Sequence, residues 1–202
     1  MKLLSSPPSP FGRKVKMVAK VKGIFDRLEV ETVDASQAGS PAISPHNPLG
    51  KIPVLILDDG TALYDSHVIS EYLDTLAPEP RLFPPGGVER FLTLRLGALA
   101  DGIMEAALLT VYESRFRPET LRSGAWVDRQ HGKIESALAY LERDPPLMAS
   151  TPDYGHIALA AALGYLDLRL GGTWRDQHPA LVGWLNGFDM RVPAFAETKV
   201  SV

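Results

Sequence analysis

Asn47-Pro48-Leu49-Gly50-Lys51-Ile52-Pro53-Val54-Leu55, followed shortly by Asp65-Ser66-His67-Val68-Ile69-Ser70-Glu71-Tyr72-Leu73, says more about this chain than any other part of it. The first piece is a turn, a proline and an apolar strand. Proline cannot donate a ladder hydrogen bond, so Pro53 belongs at a strand start or edge. X-Pro bonds alone reach the cis form cheaply, and a cis Pro53 would leave the N–H and C=O of Ile52 facing outward for an extended ligand. The second piece sets Asp65 and Ser66 ahead of a helix. Its apolar residues Val68, Ile69, Tyr72, Leu73 and Leu76 are spaced as one buried stripe. Free N–H groups and the positive dipole end then lie beside Ser66, which suits a bound carboxylate. A peptide-like backbone site next to an anion site describes a receptor for a small acidic peptide.

Upstream of this stretch, Lys2-Leu3-Leu4 reads as a short strand and Ser5 to Pro10 as a loop. A helix follows, with Phe11, Val15, Val18 and Ala19 on one face and Gly23 as its stop. Leu28, Val30 and Thr32 alternate with Arg27, Glu29 and Glu31, the period of a half-buried strand. A polar loop fills 35–50. Val54 to Leu57 and Thr61 to Tyr64 flank Asp58-Asp59-Gly60 as a hairpin. The order strand, helix, strand, strand, strand, helix, with proline before the third strand, predicts an α/β thioredoxin-like domain over 1–77, built on a mixed four-stranded sheet.

Downstream, Pro78, Pro80, Pro84, Pro85, Gly86 and Gly87 mark a linker over 78–87. Residues 88–202 read as an all-helical bundle. Phe91, Leu92, Leu96, Leu99, Ile103, Met104, Leu108 and Val111 or Tyr112 form one stripe. Trp126, Val127, Ile134, Leu138 and Leu141 form another, and Leu181, Trp184, Leu185 and Phe188 the last. Ile157 to Leu170 is apolar nearly all round, which predicts the central buried helix. Gly102, in the middle of an apolar helix, asks for a close neighbour, either within the chain or from a ligand or second chain.

Composition limits the function. The 202 residues are 45% hydrophobic with a formal charge of −3, enough for a sizeable core and no footprint for nucleic acid or an anionic membrane. No apolar run is long enough to span a bilayer, and the amino terminus reads as a strand rather than a signal peptide, so a cytoplasmic location is expected. The chain has no cysteine. Disulfides and zinc–thiolate sites are therefore excluded, and any sulfur chemistry must use a thiol carried by the ligand. The five histidines are scattered without metal-ligand spacing.

Ser9-Pro10-Phe11, then Asn47 to Val54, then Asp65-Ser66 with Glu71-Tyr72-Leu73, resembles the glutathione S-transferase superfamily, above all bacterial theta-, beta- and omega-like members with a Ser-Pro-Phe or Cys-Pro-Phe element. The resemblance implies a glutathione transferase with glutathione as co-substrate, no metal, a small electrophilic second substrate and a homodimeric assembly. It implies that Ser9 contacts the glutathione sulfur, with Phe11 beside it. Ser66 would hold the γ-glutamyl carboxylate while Asp65 faces its ammonium. Ile52 would pair with the cysteinyl unit beside cis Pro53, and Lys51 would meet the glycyl carboxylate. A glutathione-dependent peroxidase or disulfide reductase, or a non-catalytic binding protein of this fold, are the other readings. Relatives with cysteine at the Ser9 position can form mixed disulfides; serine cannot.

Ser9 before Pro10 is also a natural helix N-cap, so its hydroxyl has a structural use as well as a catalytic one. Ser5 and Ser6 share the loop and compete for the thiol. Ser66 could simply cap its helix, and Lys51 could be a solvated surface residue. One hydroxyl is energetically sufficient: half-ionising a thiol of pKa about 8.5 at pH 7 takes about 2 kcal/mol. A hydrogen bond to a charged group supplies about 1.5–3 kcal/mol. Tyr112, Phe116, Trp126 and Trp174 are candidates for an apolar acceptor pocket, or else ordinary core. Asp153 could cap the central helix, but His156 stands where an acid would complete the capping box.

Overall fold

In the computed structural model, which describes residues 1–36, 39–148 and 151–200, β1 (Lys2–Ser5) runs through the middle of a four-stranded sheet. It pairs in parallel with β2 (Glu29–Thr32) and antiparallel with β3 (Val54–Ile56), which in turn pairs antiparallel with β4 (Ala62–Leu63). The sheet order is β2-β1-β3-β4. Leu3 sits opposite both Val30 and Leu55, and Leu3 and Leu55 are wholly buried. The crossover between β1 and β2 is α1 (Pro10–Val21), and α2 (Ser66–Thr75) follows β4. This is the thioredoxin-like mixed sheet that the strand order predicts. Gly23 takes φ +66°, the left-handed conformation that ends α1.

Two exposures differ from the sequence reading. β2 is an edge strand with a neighbour on one side only, so Val30 is 39% exposed. The buried apolar residues there, Leu28 and Val33, flank the strand instead. Along α2 the buried face is Ser66, Ile69, Ser70 and Leu73, a narrower stripe than hydrophobicity suggests. Val68 lies outside it, exposed.

The rest of the chain is helical: α3 (Gly87–Phe116), α4 (Gly124–Arg143), α5 (Tyr154–Leu170), α6 (Pro179–Arg191) and the short α7 (Ala194–Glu197). As its composition predicts, α5 is buried without interruption from Tyr154 to Leu166, and α1, α3 and α6 pack around it. Its cap is a complete capping box. Asp153 accepts from the His156 N–H at 3.0 Å, and His156 takes the reciprocal role that an acid or amide usually plays. The stripe expected on α3 holds only in its later part, where Ile103 and Met104 are buried and Leu96, Leu99 and Leu108 pack against the core. Phe91 and Leu92 are exposed, and the face against α5 is made of small residues, Thr93, Gly97, Ala100 and Ala107, with Met104. Close approach explains the choice: a side chain at Gly97 would overlap the Tyr154 ring, and one at Gly155 would come within 2.9 Å of the Thr93 carbonyl. Gly102, by contrast, faces open space, so packing inside this chain does not account for it. Trp126 on α4 is 40% exposed, while Ile134, Leu138 and Leu141 are buried as expected.

The proline-rich segment between the halves is anchored rather than loose. Lys22 Nζ lies 2.8 Å from Asp74 and donates to the carbonyls of Ala77 and Pro80, while Asp74 accepts from the N–H groups of Leu82 and Phe83. Leu82 is fully buried. Among the described residues no helix is long and apolar enough to cross a membrane, and no His, Asp and Glu cluster could hold a metal ion.

Candidate functional site

A cleft of about 1020 Å³ separates the sheet domain from α3 and α5. Its sheet side brings together all the residues that the resemblance assigns to glutathione: Ser9 and Phe11 from the start of α1, Lys51, Ile52 and Pro53 from the loop before β3, and Asp65 and Ser66 from the start of α2. They meet because each lies at the end of an element on the same edge of the domain.

At the first of these ends, Ser9 is extended (φ −72°, ψ 117°) and its Oγ accepts the Gly12 N–H at 3.1 Å. It is the N-cap of α1. Accepting that bond uses a lone pair and leaves the hydroxyl proton to donate into the cleft. Ser6 also lines the cleft. Ser5 does not: it is 1% exposed and packs beneath the first turn of α1, where a side chain at Gly12 would run into it. Of the three loop serines, Ser9 and Ser6 remain within reach of a ligand.

The Ile52–Pro53 peptide bond is cis. Among the described residues, no backbone hydrogen bond engages the N–H or C=O of Ile52. Buried Asn47 holds the loop that presents it. Its Oδ1 accepts from the Leu49 N–H at 3.0 Å and its Nδ2 donates to the Lys51 carbonyl at 2.9 Å. Lys51 itself is exposed at the rim.

At the third end, the cap of α2 is Asp65 and not Ser66. Asp65 Oδ1 accepts from the N–H of His67 at 2.9 Å and of Val68 at 3.5 Å. A carboxylate two residues upstream of the first free donors is well placed for this, and Ser66 becomes the first helical residue. Ser66 is 2% exposed overall yet lines the cleft, at the positive end of a ten-residue helix.

One fixture of the site has no signal in the sequence. Lys14, fully buried in α1, donates to Asp101 of α3 at 2.5 Å and to the Tyr154 hydroxyl of α5 at 2.9 Å. Burial pulls its ammonium below the ordinary lysine range, against the pull of the Asp101 charge and hydrogen bond. A buried ion pair is weak grounds for stability, but it fixes orientation. Here it sets the angle between α1, which carries Ser9 and Phe11, and the two helices across the cleft.

Of the opposite wall, the sequence reading had only Tyr112. The wall consists of Leu108, Leu109, Tyr112 and Arg115 on α3 and Tyr165 and Arg169 on α5, with Glu105 below them. Of the aromatic candidates, Tyr112 alone lines the cleft. Phe116 stacks edge-on against it and is half-exposed, Trp126 lies elsewhere on α4, and Trp174 is core, donating to Asp167 at 2.9 Å. Burial raises the Tyr165 phenol, with Arg169 and Arg115 opposing the shift. Arg169, near the end of the mostly apolar central helix, was the available clue to this wall.

Comparison with known proteins gives a consistent picture. Residues 3–81 match the family described as glutathione S-transferase, N-terminal domain, and residues 124–187 match glutathione S-transferase, C-terminal domain. The chain is 35% identical to an uncharacterized GST-like protein, YibF, of Escherichia coli strain K12, over 98% of both proteins. A glutathione transferase family member from Pseudomonas fluorescens Pf-5, solved with bound glutathione, superposes with a TM-score of 0.92 at 39% identity, covering 100% of this chain and 99% of that one. A second structure of a family member from that strain holds S-(propanoic acid)-glutathione; it superposes at 0.87 with 38% identity, and each chain is covered completely.

Proposed function

The chain belongs to the glutathione S-transferase superfamily, and we propose that it is a glutathione transferase whose thiol-activating residue is Ser9. The observation that carries this reading is the convergence of Ser9, Lys51, Ile52, Pro53, Asp65 and Ser66 on one cleft. In this reading the γ-glutamyl carboxylate meets the Ser66 hydroxyl and the N–H groups at the start of α2. The free Oδ2 of Asp65 takes the ammonium, its Oδ1 being occupied by the cap. The cysteinyl unit pairs with the backbone of Ile52 in strand fashion, and Lys51 meets the glycyl carboxylate. This puts the sulfur at the start of α1, beside Ser9 and Phe11.

Ser9 then donates its proton to the thiolate while accepting from Gly12, and the positive end of α1 adds to the stabilisation. Sulfur attacks an electrophilic carbon held against α3 and α5, and holding both partners in one cleft supplies the rest of the acceleration. Two observations favour transfer over thiol exchange. The chain has no cysteine to form a mixed disulfide, and a relative from P. fluorescens holds a glutathione substituted at sulfur. The assembly in this reading is a homodimer in which the β3–β4 side of one subunit meets α3 of the other. Exposed Tyr64 and Val68 on the first surface, and Val88, Phe91 and Leu92 on the second, are the apolar groups it would cover.

The deciding experiment is an ultraviolet titration of bound glutathione across pH. A transferase shows a thiolate signal that titrates below the free thiol. A binding protein without activation shows the free-thiol profile.

A further inference from the structure

Arg169 projects from the last turn of α5, yet its Nε is buried and, among the described residues, has no hydrogen-bond partner. Neither Arg169 nor Arg115, on the same wall of the cleft, forms an ion pair with any described acid. The Tyr165 phenol stands close enough to both guanidiniums, and to Tyr112, to feel them. Three acids also face the cleft, and none forms an ion pair with the arginines. Asp65 caps α2, Asp34 accepts from the Ser36 N–H at 2.8 Å and feels the charge of Arg115 from farther off, and Glu105 is exposed and acts on Lys14. A guanidinium donor held away from water without an acceptor is costly to maintain. Its planar fork matches a carboxylate better than any other common group.

Building on the glutathione reading above, we infer that the electrophile carries a carboxylate, bound by Arg169 together with Arg115 on the α5–α3 wall opposite Ser9. Tyr165 and Tyr112 flank the organic body of that substrate, and Arg169 is a specificity-determining residue rather than part of thiol activation. The reaction balances without any further reagent. For an aryl chloride bearing the carboxylate, the thiolate pair forms the C–S bond, the C–Cl bond breaks and chloride leaves with its electron pair. A site built to hydrogen-bond a substrate group discriminates strongly against an analogue that lacks it.

The test uses two product-like probes differing in one group: S-(4-carboxy-2-nitrophenyl)glutathione and its 4-carboxamide. Calorimetric titration of the whole protein should show the carboxylate binding at least tenfold more tightly. Arg169→Met should abolish that preference, and Arg169→Lys should restore part of it. Plain glutathione should bind all three proteins alike, which also verifies that the variants are folded. The rate of 4-chloro-3-nitrobenzoate conjugation, divided by the uncatalysed rate, should exceed that of the corresponding benzamide by a similar factor in the unmodified protein. Equal affinity for the two probes, or a preference that survives Arg169→Met, overturns the inference while leaving the glutathione site standing. If glutathione itself fails to bind, the underlying reading falls and the inference falls with it.

Discussion

Replacing Ser9 with alanine separates two uses of one hydroxyl. The Oγ accepts the Gly12 N–H at 3.1 Å and closes the start of α1. Losing such a cap costs about 0.5–2 kcal/mol of stability. The catalytic reading adds a second, independent effect. Donation to a thiolate is a hydrogen bond to a charged group, worth about 1.5–3 kcal/mol. Removing it should raise the pKa of bound glutathione by about one to two units, at 1.36 kcal/mol per unit. At neutral pH the thiolate fraction, and with it kcat/KM, should fall about tenfold or more. Affinity should change little, because Ile52, Asp65 and Ser66 grip the rest of the molecule. The assay pairs thermal unfolding with the ultraviolet titration of the bound thiol on the same variant. A stability loss with an unchanged thiol pKa would refute the catalytic role and leave Ser9 as a cap. Ser6→Ala is the companion measurement: if the pKa moves there instead, the loop is right and the residue is wrong. Ser5→Ala should leave the thiol alone, because Ser5 is buried beneath α1.

Ser66→Ala and Asp65→Asn should each weaken glutathione binding at least tenfold by calorimetry, since a charged partner left unpaired costs about 2–5 kcal/mol; unchanged binding in both would reject α2 as the γ-glutamyl site. His156 offers a pH test away from the site: its Nδ1 lies 2.6 Å from Asp153 Oδ1 and its Nε2 3.0 Å from the Leu147 carbonyl, so each ring nitrogen has an acceptor when the ring is charged, and the longer 3.3 Å contact from the Asp153 N–H to Nδ1 belongs to the neutral ring. Burial pulls its pKa down, but the Asp153 hydrogen bond and charge and the Leu147 carbonyl together raise it above the ordinary 6.5. The contribution is therefore fully present below pH 6.5 and is lost as pH rises through the folded-state value, so the melting temperature of the unmodified protein should decline over that range more than that of His156→Asn; parallel pH profiles would show that His156 is not charged in the fold. Light scattering at micromolar concentration should give twice the single-chain mass of 22.0 kDa, and a mass near 22.0 kDa would exclude the dimer.

The sheet side of the cleft was legible because its determinants are local. Asn47 to Val54 places a proline at the mouth of a strand, and Asp65-Ser66 opens a helix; each fragment dictates its own backbone chemistry within a few residues. The element order is likewise carried by short-range signals, from Gly23 ending α1 to the Asp-Asp-Gly turn of the hairpin. The cap of α2 is a local detail on which sequence and structure differ: Ser66 was the candidate, and Asp65 fills the position. Either residue type can fill that position, and the strand end decides which one does.

Faces and partners were a different matter. Hydrophobicity alone placed Phe91 and Leu92 on the buried face of α3, whereas Thr93 and Gly97 are buried there, because α5 comes too close at Tyr154 and Gly155 for large side chains at that end. Val30 and Val68 are exposed for a related reason: whether an apolar residue is covered depends on what lies across from it. The acceptor wall of Tyr112, Arg115, Tyr165 and Arg169 joins two helices far apart in the chain, and the Lys14–Asp101–Tyr154 contact that sets their angle to α1 joins three. The sequence by itself picked out the residues proposed here to bind glutathione, since turns, caps and strand starts are written in neighbouring residues. Only the tertiary structure decided what stands opposite the sulfur, because that wall exists through long-range packing between helices, which no local pattern encodes.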